Sequence, residues 1–497
     1  MPEKIKNYIN GRWVGAASGK TFESRNPADA REVLGVVADS AAADVDAAVR
    51  AAKAAYPGWA ATPAPKRGEI LYRAAEALIR HKADLGAWVT REMGKVLPEA
   101  LGDVQEAIDM TYYMAGEGRR LCGETVPSEL PDKDAKSVRV PVGVFGLITP
   151  WNFPVAIPAW KITPALIAGN TVVLKPAEET PICAARLVKI LCEAGLPAGV
   201  LNLVCGFGET AGEPLVCHPN VDAVSFTGSN AVGGRLSVLA AERHKHFAME
   251  AGGKNPIIIM DDADLSLAVT GALWGAFGTA GQRCTAASRL IVHTAVYDRF
   301  VAQITERAGR LRLGNGLHSK TDVGPIVSEA QYHKVLDYIA LGAREGARQI
   351  LGGPHKKGAC AHGYFIAPTL FLDVRPTMRI AREEIFGPVV CIFKARSLRE
   401  AIDLANDSPF GLSAAIYTQN THHAARAERD LNTGLVYINA ATIGAEIQLP
   451  FGGTRRTGLG PREAGGRGGA LDLYTQWKVI YRDFSGRLQK AQIGETP

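Results

Sequence analysis

The chain is short of the features that mark disulfide, zinc, nucleic-acid and membrane proteins. Its eight cysteines fall at irregular spacings, with no CxxC pair and no CxxC…HxxxH pattern. That leaves no zinc or disulfide framework and fits reduced thiols in a cytosol. Charge of one sign is equally scarce: 56 basic against 50 acidic residues give +6, spread without long blocks. Such a balance is too weak and diffuse for a nucleic-acid surface, and its plainest reading is solubility. No apolar signal core or Arg/Ser-rich transit helix precedes the strand-like Tyr8–Val14, so a cytoplasmic location is expected. The uncharged run 265–282 is 18 residues long. It carries several glycines and stops at Arg283, so it reads as a buried helix rather than a membrane span.

What is present is ample chain for large cores. A length of 497 residues with 47% apolar and 21% charged content implies a globular protein of two to four domains. Helical periodicity runs through 41–56, 68–81, 85–93 and 103–114. From Val138 the texture changes to short apolar runs alternating with helices such as 181–194. The runs 144–148, 171–174, 201–204 and 223–226 read as buried parallel strands. A second set follows at 256–260, 289–292, 389–393, 413–417 and 435–438. The alternation predicts two doubly wound α/β domains meeting near residue 252. His244 and His246 read as ordinary alternating strand residues. Two strand-like pieces, 137–142 and 476–481, stand apart.

Cys284, in Gly281-Gln-Arg-Cys-Thr285, lies 34 residues beyond the lone acid Glu250 of Met249-Glu-Ala-Gly-Gly-Lys254. A cysteine is a nucleophile only as thiolate, and a nearby carboxylate could activate water against an acylated cysteine. Taken alone, a cysteine such as Cys284 is more often a small apolar packing residue, and it is the further motifs that turn the reading toward a nucleophile. Asn152, in Pro150-Trp-Asn-Phe-Pro154, offers an amide that could stabilise an oxyanion. With Lys175-Pro-Ala-Glu178, Phe226-Thr-Gly-Ser229, Glu383-Glu-Ile-Phe-Gly-Pro388 and Pro450-Phe-Gly-Gly453 in this order, the chain resembles the aldehyde dehydrogenase superfamily. The resemblance runs from Tyr8 to Val479.

The resemblance implies a Rossmann-like NAD-binding domain over 1–118 and 143–252 and a catalytic domain over 253–465. It further implies that 119–142 and 466–497 hold oligomerisation segments and a C-terminal tail, whose default is fraying. The outlying strand pieces would form a bridging sheet between subunits, giving a homodimer or homotetramer with no nucleic-acid or membrane partner. An exposed edge strand is an aggregation liability unless paired, which makes that assembly physically sensible.

No GxGxxG fingerprint is present. The Gly228-Ser-Asn-Ala-Val-Gly233 turn follows a strand, and Ser229 could cap the next helix and meet a phosphate at its positive end. Lys175 and Glu178 stand at the carboxyl end of another strand, where such sheets bind ligands; without the resemblance they read equally as a loop lysine and a helix-start acid. By resemblance they hold the adenine ribose, and Glu178 favours NAD over NADP by repelling a 2′-phosphate. Glu384 matches the acid on the nicotinamide ribose and Phe386 the ring beside it. Ile148, Trp151, Gln331 and Lys334 match further cofactor contacts.

The implied chemistry is oxidation of an aldehyde to a carboxylate. Cys284 forms a thiohemiacetal, Asn152 stabilises its oxyanion, and Glu250 activates the water that hydrolyses the thioester. Lys161 and Glu463 match proton-relay positions, each also readable as an ordinary charge. Arg283 could pair with a distal substrate carboxylate, as arginines there do in semialdehyde branches, or merely with a neighbouring acid. Gly281–Thr285 and Ile443-Gly-Ala-Glu446 resemble the aminoadipic semialdehyde branch, while 150–154 and 175–178 depart from it. Alternatives are a CoA-acylating semialdehyde dehydrogenase, which would lack Glu250, and a non-enzymatic structural protein, which would be expected to lose Cys284, Glu250 or Asn152. A cysteine hydrolase without cofactor is disfavoured by the nucleotide motifs.

Overall fold

The structure is a computed structural model that describes residues 2–490 and 492–493. Five uncharged or nearly uncharged runs form the parallel centre of its first sheet: Val144–Ile148, Thr171–Lys175, Leu201–Leu203, Ala223–Gly228 and His246–Ala251. Their near-continuous apolar character suits strands covered on both faces, here by helices such as Ala156–Ala168, Pro181–Glu193 and Asn230–Ala241. Across the sheet the order is 246–251, 223–228, 144–148, 171–175, 201–203, with antiparallel strands beyond each edge. The winding therefore reverses between 144–148 and 223–228. Ligands of such sheets sit in the crevice at the carboxyl ends of the strands flanking that reversal.

The second sheet has seven strands, in the order 348–354, 366–372, 389–395, 287–293, 255–259, 413–417 and 435–438; only the first is antiparallel. Glu124–Val126, Lys133–Pro141 and Thr475–Asp483 make a third, antiparallel sheet, the last two paired from Thr475↔Pro141 to Asp483↔Lys133. Its edge strand 475–483 exposes Trp477, Val479 and Tyr481. Two α/β sheets and a small separate sheet are what the alternation and the outlying strands predicted.

Several local expectations need correction. Residues 68–93 are not two helices but part of one, Ala64–Met93. Lys82-Ala83-Asp84 contains no glycine or proline to stop it, and the helix ends only at Gly94 in the left-handed region (φ 97°). His246 opens a strand, but His244 lies in the preceding turn at φ 54°, so the two do not alternate on one strand. The hairpin Thr21–Asn26/Asp29–Ala38 and the parallel strand Ile366–Leu372 were not anticipated. The tail is tied down further than fraying suggests: Phe484 N–H donates to Asp132 O at 2.8 Å and Gln489 Nε2 to Pro131 O at 2.7 Å. Residues 491 and 494–497 of that tail lie outside the described residues.

Candidate active site

Cys284 stands where two cavities of about 610 and 600 Å³ meet, and it lines both together with Ile157, Thr227 and Ala251. The loop that puts it there is strained. After the helix Leu265–Phe277, Thr279 and Ala280 take φ 54° and Gly281 φ 70°. Such angles in non-glycine residues persist only when the surroundings hold them. Glu99 does so by accepting Thr279 N–H at 3.0 and 2.9 Å and Thr279 Oγ1 at 3.0 Å. Gln282 adds bonds to Thr279 O and Pro325 O, both 3.1 Å, and accepts Val327 N–H at 3.0 Å. A Cβ on Gly281 would come within 2.3 Å of Gly387 O, so only glycine fits. Asn255 then fixes the next turn, donating to Cys284 O at 2.8 Å and Ala286 O at 2.9 Å.

The first cavity opens at the reversal of the first sheet. Trp151, Asn152, Gly228, Ser229, Gln331, Lys334, Glu384 and Phe386 all line it. Ser229 caps the helix Asn230–Ala241, accepting Val232 N–H at 3.4 Å. Trp151 and Phe386 meet edge to face at 5.2 Å. Phe386 sits at φ 59°, held by Gln331 Nε2 bonds to Ile385 O at 3.0 Å and Phe386 O at 2.8 Å. Glu384 accepts Gly253 N–H at 3.1 Å, and burial pushes its carboxyl up to about 7 against the pull of Lys334, Gly253 N–H and Lys254. The Asn152 side chain is buried and makes no hydrogen bond among the described residues, so its amide is free to donate.

Four residues expected at the cofactor site do not line this cavity. Ile148 is buried at the strand end. Gly233 is a packing residue: a Cβ there would lie 2.2 Å from the Met249 sulfur. Lys175 Nζ donates to Glu178 at 2.9 Å. Their turn adjoins the Pro150–Asn152 loop through Thr149 N–H to Lys175 O at 3.2 Å.

The second cavity holds Glu250, Glu463, Arg283 and Glu106 against Phe153, Trp160, Gly444, Ala445 and Phe451. Gly452, at φ 153°, lets the backbone reach Glu250: a Cβ would lie 2.2 Å from its carboxylate, and Gly453 N–H donates to it at 3.3 Å. Burial, then Glu463, holds the Glu250 carboxyl well above the usual range. Behind it Lys161 Nζ bonds both Glu463 and Ser225, the latter at 2.7 Å, and Thr227 Oγ1 donates to Glu463 at 3.0 Å. Burial, then Glu384, Glu250 and Glu463, push the Cys284 thiol up to about 12.

Arg283 shows the neighbouring-acid reading directly. Its Nε donates to Thr279 Oγ1 at 2.9 Å and its Nη2 lies 3.5 Å from Glu99. The guanidinium still faces the cavity, 5.4 Å from the Phe153 ring centroid and 5.1 Å from that of Trp274.

Glu99, Asn255 and Glu106 were missed by the sequence reading. Their signal was present: Glu99, Asp103 and Glu106 recur at helical spacing along one face of Leu97–Glu117. Such a stripe ordinarily reads as a solvated face. Here Asp103 bonds Lys95 at 3.0 Å and Ala156 N–H at 2.7 Å, inside the protein. Asn255 heads an otherwise apolar buried strand, where a polar side chain needs partners.

The model for the aldehyde dehydrogenase family matches residues 13–480. A Bacillus subtilis (strain 168) protein named alpha-ketoglutaric semialdehyde dehydrogenase is 44% identical, covering 96% of this chain and 97% of its own. Alpha-ketoglutarate semialdehyde dehydrogenase of Haloferax volcanii is 43% identical over 97% of this chain and 100% of its own. The crystal structure of Staphylococcus aureus betaine aldehyde dehydrogenase in complex with NAD+ matches with a TM-score of 0.94 at 36% identity, covering 97% of this chain and 95% of that one.

Proposed function

The chain belongs to the aldehyde dehydrogenase family, and from that premise we propose that it oxidises a semialdehyde bearing a distal carboxylate, of the alpha-ketoglutaric semialdehyde kind, to the diacid with NAD. Oxidation of an aldehyde to an acid is the family's reaction. The observation that carries the proposal is the position of Cys284 between a crevice fitted for a nucleotide and a cavity holding Glu250 and Arg283.

The first crevice suits NAD by its donor set: a capped helix N-terminus with Ser229 for phosphate, the Trp151–Phe386 wall for the nicotinamide, and Glu384 for ribose hydroxyls. Lys175 and Glu178 would hold the second ribose, and Gln331 and Lys334 support the Glu384–Phe386 loop. When bound, NAD supplies the acceptor for a hydride from the aldehyde carbon. Cys284 loses its proton to solvent and the thiolate sulfur bonds the carbonyl carbon, whose π electrons pass to the oxygen as the oxyanion. The Asn152 amide and Cys284 N–H stabilise the oxyanion. After hydride loss the thioester remains on sulfur. Glu250 takes a proton from water, the hydroxide adds, and the carbon–sulfur bond breaks to release acid. A carboxyl raised by burial is a stronger base, better matched to neutral pH. Lys161 and Glu463 then carry that proton away.

The family relationship also supports assigning 1–118 and 143–252 to cofactor binding, 253–465 to catalysis, and 119–142 with 466–497 to assembly of a homo-oligomer. Among the described residues no helix is long and apolar enough to cross a membrane. The test is an aldehyde panel with and without a distal carboxylate, assayed with NAD and NADP. Acidic semialdehydes with NAD should give the highest kcat/KM. Equal rates for neutral and acidic aldehydes would overturn the substrate class, and product trapped as a CoA thioester would overturn hydrolysis.

A further inference from the structure

We propose that Glu106 determines specificity for acidic semialdehydes: standing beside Arg283 in the second cavity, its carboxylic acid donates a hydrogen bond to the substrate's distal carboxylate. The inference rests on the substrate class just proposed. Glu106 lines the cavity that also holds Cys284, Glu250 and Arg283. Its neighbours on the acidic stripe are engaged, Glu99 with Thr279 and Asp103 with Lys95 and Ala156 N–H. Glu106 alone of the three makes no hydrogen bond or ion pair among the described residues. A half-buried carboxyl without a partner is costly as an anion. Burial, then the nearby Asp103, push its carboxyl up to about 7, with Arg283 and Lys95 pulling the other way and Asp109 adding to the rise.

Two protonation states then have opposite effects on an incoming carboxylate. The neutral acid is a donor whose hydrogen bond to a charged acceptor is of the strong kind. The ionised acid places a like charge beside the Arg283 site. It is the proton on Glu106 that lets Arg283 serve a substrate anion rather than pair with Glu106. Glu250 and Glu463 face the same cavity and would repel an anion too once ionised, so the test has to separate them from Glu106.

The readout is the ratio of kcat/KM for an acidic semialdehyde to that for a neutral aldehyde of equal length, from about pH 6 to about pH 8.5. Thiol ionisation, hydride transfer and hydrolysis are common to both substrates and cancel in the ratio. In the wild type the ratio should fall about tenfold as pH rises, one hydrogen bond to a charged group being worth roughly that factor. Glu106→Gln keeps a donor that cannot ionise, so its ratio should stay high and flat. An acid preference that is flat in the wild type overturns the role of Glu106 while leaving Arg283 its own. A fall that persists in Glu106→Gln assigns the effect to Glu250 or Glu463 and likewise overturns it. Loss in Glu106→Gln of a preference for ammonium-bearing aldehydes would make Glu106 a reader of cations instead. Absence of any acid preference at every pH overturns the substrate class itself. The wild-type profile stands as a test even if the variant fails to fold.

Discussion

The two cavities that meet at Cys284 are built in different ways. The cofactor side is made largely by the ends of adjacent elements: the 150–152 loop, the 228–229 turn and the 384–386 loop, each a short motif contiguous in the chain. The substrate side draws single residues from distant places: Glu106 from a long helix, Phe153 and Arg283 from two loops, Gly444, Phe451 and Glu463 from the stretch 444–463. A motif within a few residues is visible in one sequence; a wall assembled across more than 350 residues is not. The reaction is therefore legible before the substrate is.

The comparison breaks most sharply at the residue the cavities share. Cys284→Ala should abolish turnover with every aldehyde, acidic or neutral, while binding NAD and folding as before. Substantial oxidation by pure variant would mean that the nucleophile lies elsewhere. Because burial pushes the thiol up to about 12, the thiolate fraction without ligand is small and grows with pH. Alkylation of cofactor-free wild type at Cys284 should accelerate about tenfold per pH unit from pH 7 to about 9. A plateau below about pH 8 would show a thiol already ionised.

Glu250 belongs to the substrate side alone, so Glu250→Gln should separate the two half-reactions. Steady-state turnover should drop by about a hundred- to ten-thousandfold, the usual worth of a general base. A single-turnover burst of reduced cofactor and a protein adduct of thioester mass should survive. If the burst disappears with turnover, Glu250 acts earlier, on the thiol.

The same contrast explains what the sequence could and could not disclose. Cys284, Glu250 and Asn152 could be singled out as candidates because each sits in a short, ordered motif, and the parallel strands were readable because their apolar runs end at glycines and loops. The groups that aim Cys284 were not. Glu99 reaches the strained Thr279–Gly281 loop from a helix some 180 residues earlier, and an acid on an amphipathic helix gives no hint of a buried backbone partner. Helix ends were misjudged both where no glycine or proline marks them, as at 82–84, and where the helix runs on through such residues, as at Pro57 and Gly58. Glu106 carries no motif at all; only its place on a stripe whose neighbours are buried sets it apart.

Arg283 tests whether the substrate side reads charge. Arg283→Leu should lower kcat/KM for acidic semialdehydes by about ten- to a hundredfold, the worth of roughly 1.5–3 kcal/mol in charged hydrogen bonds. Neutral aldehydes should change little, because Glu99 keeps its three contacts to Thr279 when the guanidinium is gone. An equal loss for both classes would make Arg283 a support of the cysteine loop.

The smallest effect is expected on the cofactor side, at Glu178. Its carboxylate should disfavour NADP by repelling a 2′-phosphate, so the wild type should prefer NAD. Two observations limit the size of that preference. The side chain is 32% exposed, so solvent screens its charge, and Lys175 Nζ lies 2.9 Å away and offsets part of it. Exposed charge interactions are worth up to about 1 kcal/mol, roughly fivefold in an equilibrium ratio. Glu178→Gln removes the repulsion and also frees Lys175, whose ammonium can then meet the extra phosphate. The NAD:NADP ratio of kcat/KM should accordingly narrow by a few fold, chiefly through a lower KM for NADP with kcat nearly constant. A kcat change of the same size would place Glu178 in cofactor orientation instead of recognition. A wild type that prefers NADP would place the 175–178 turn away from the ribose altogether, and the cofactor side would then be the less legible of the two.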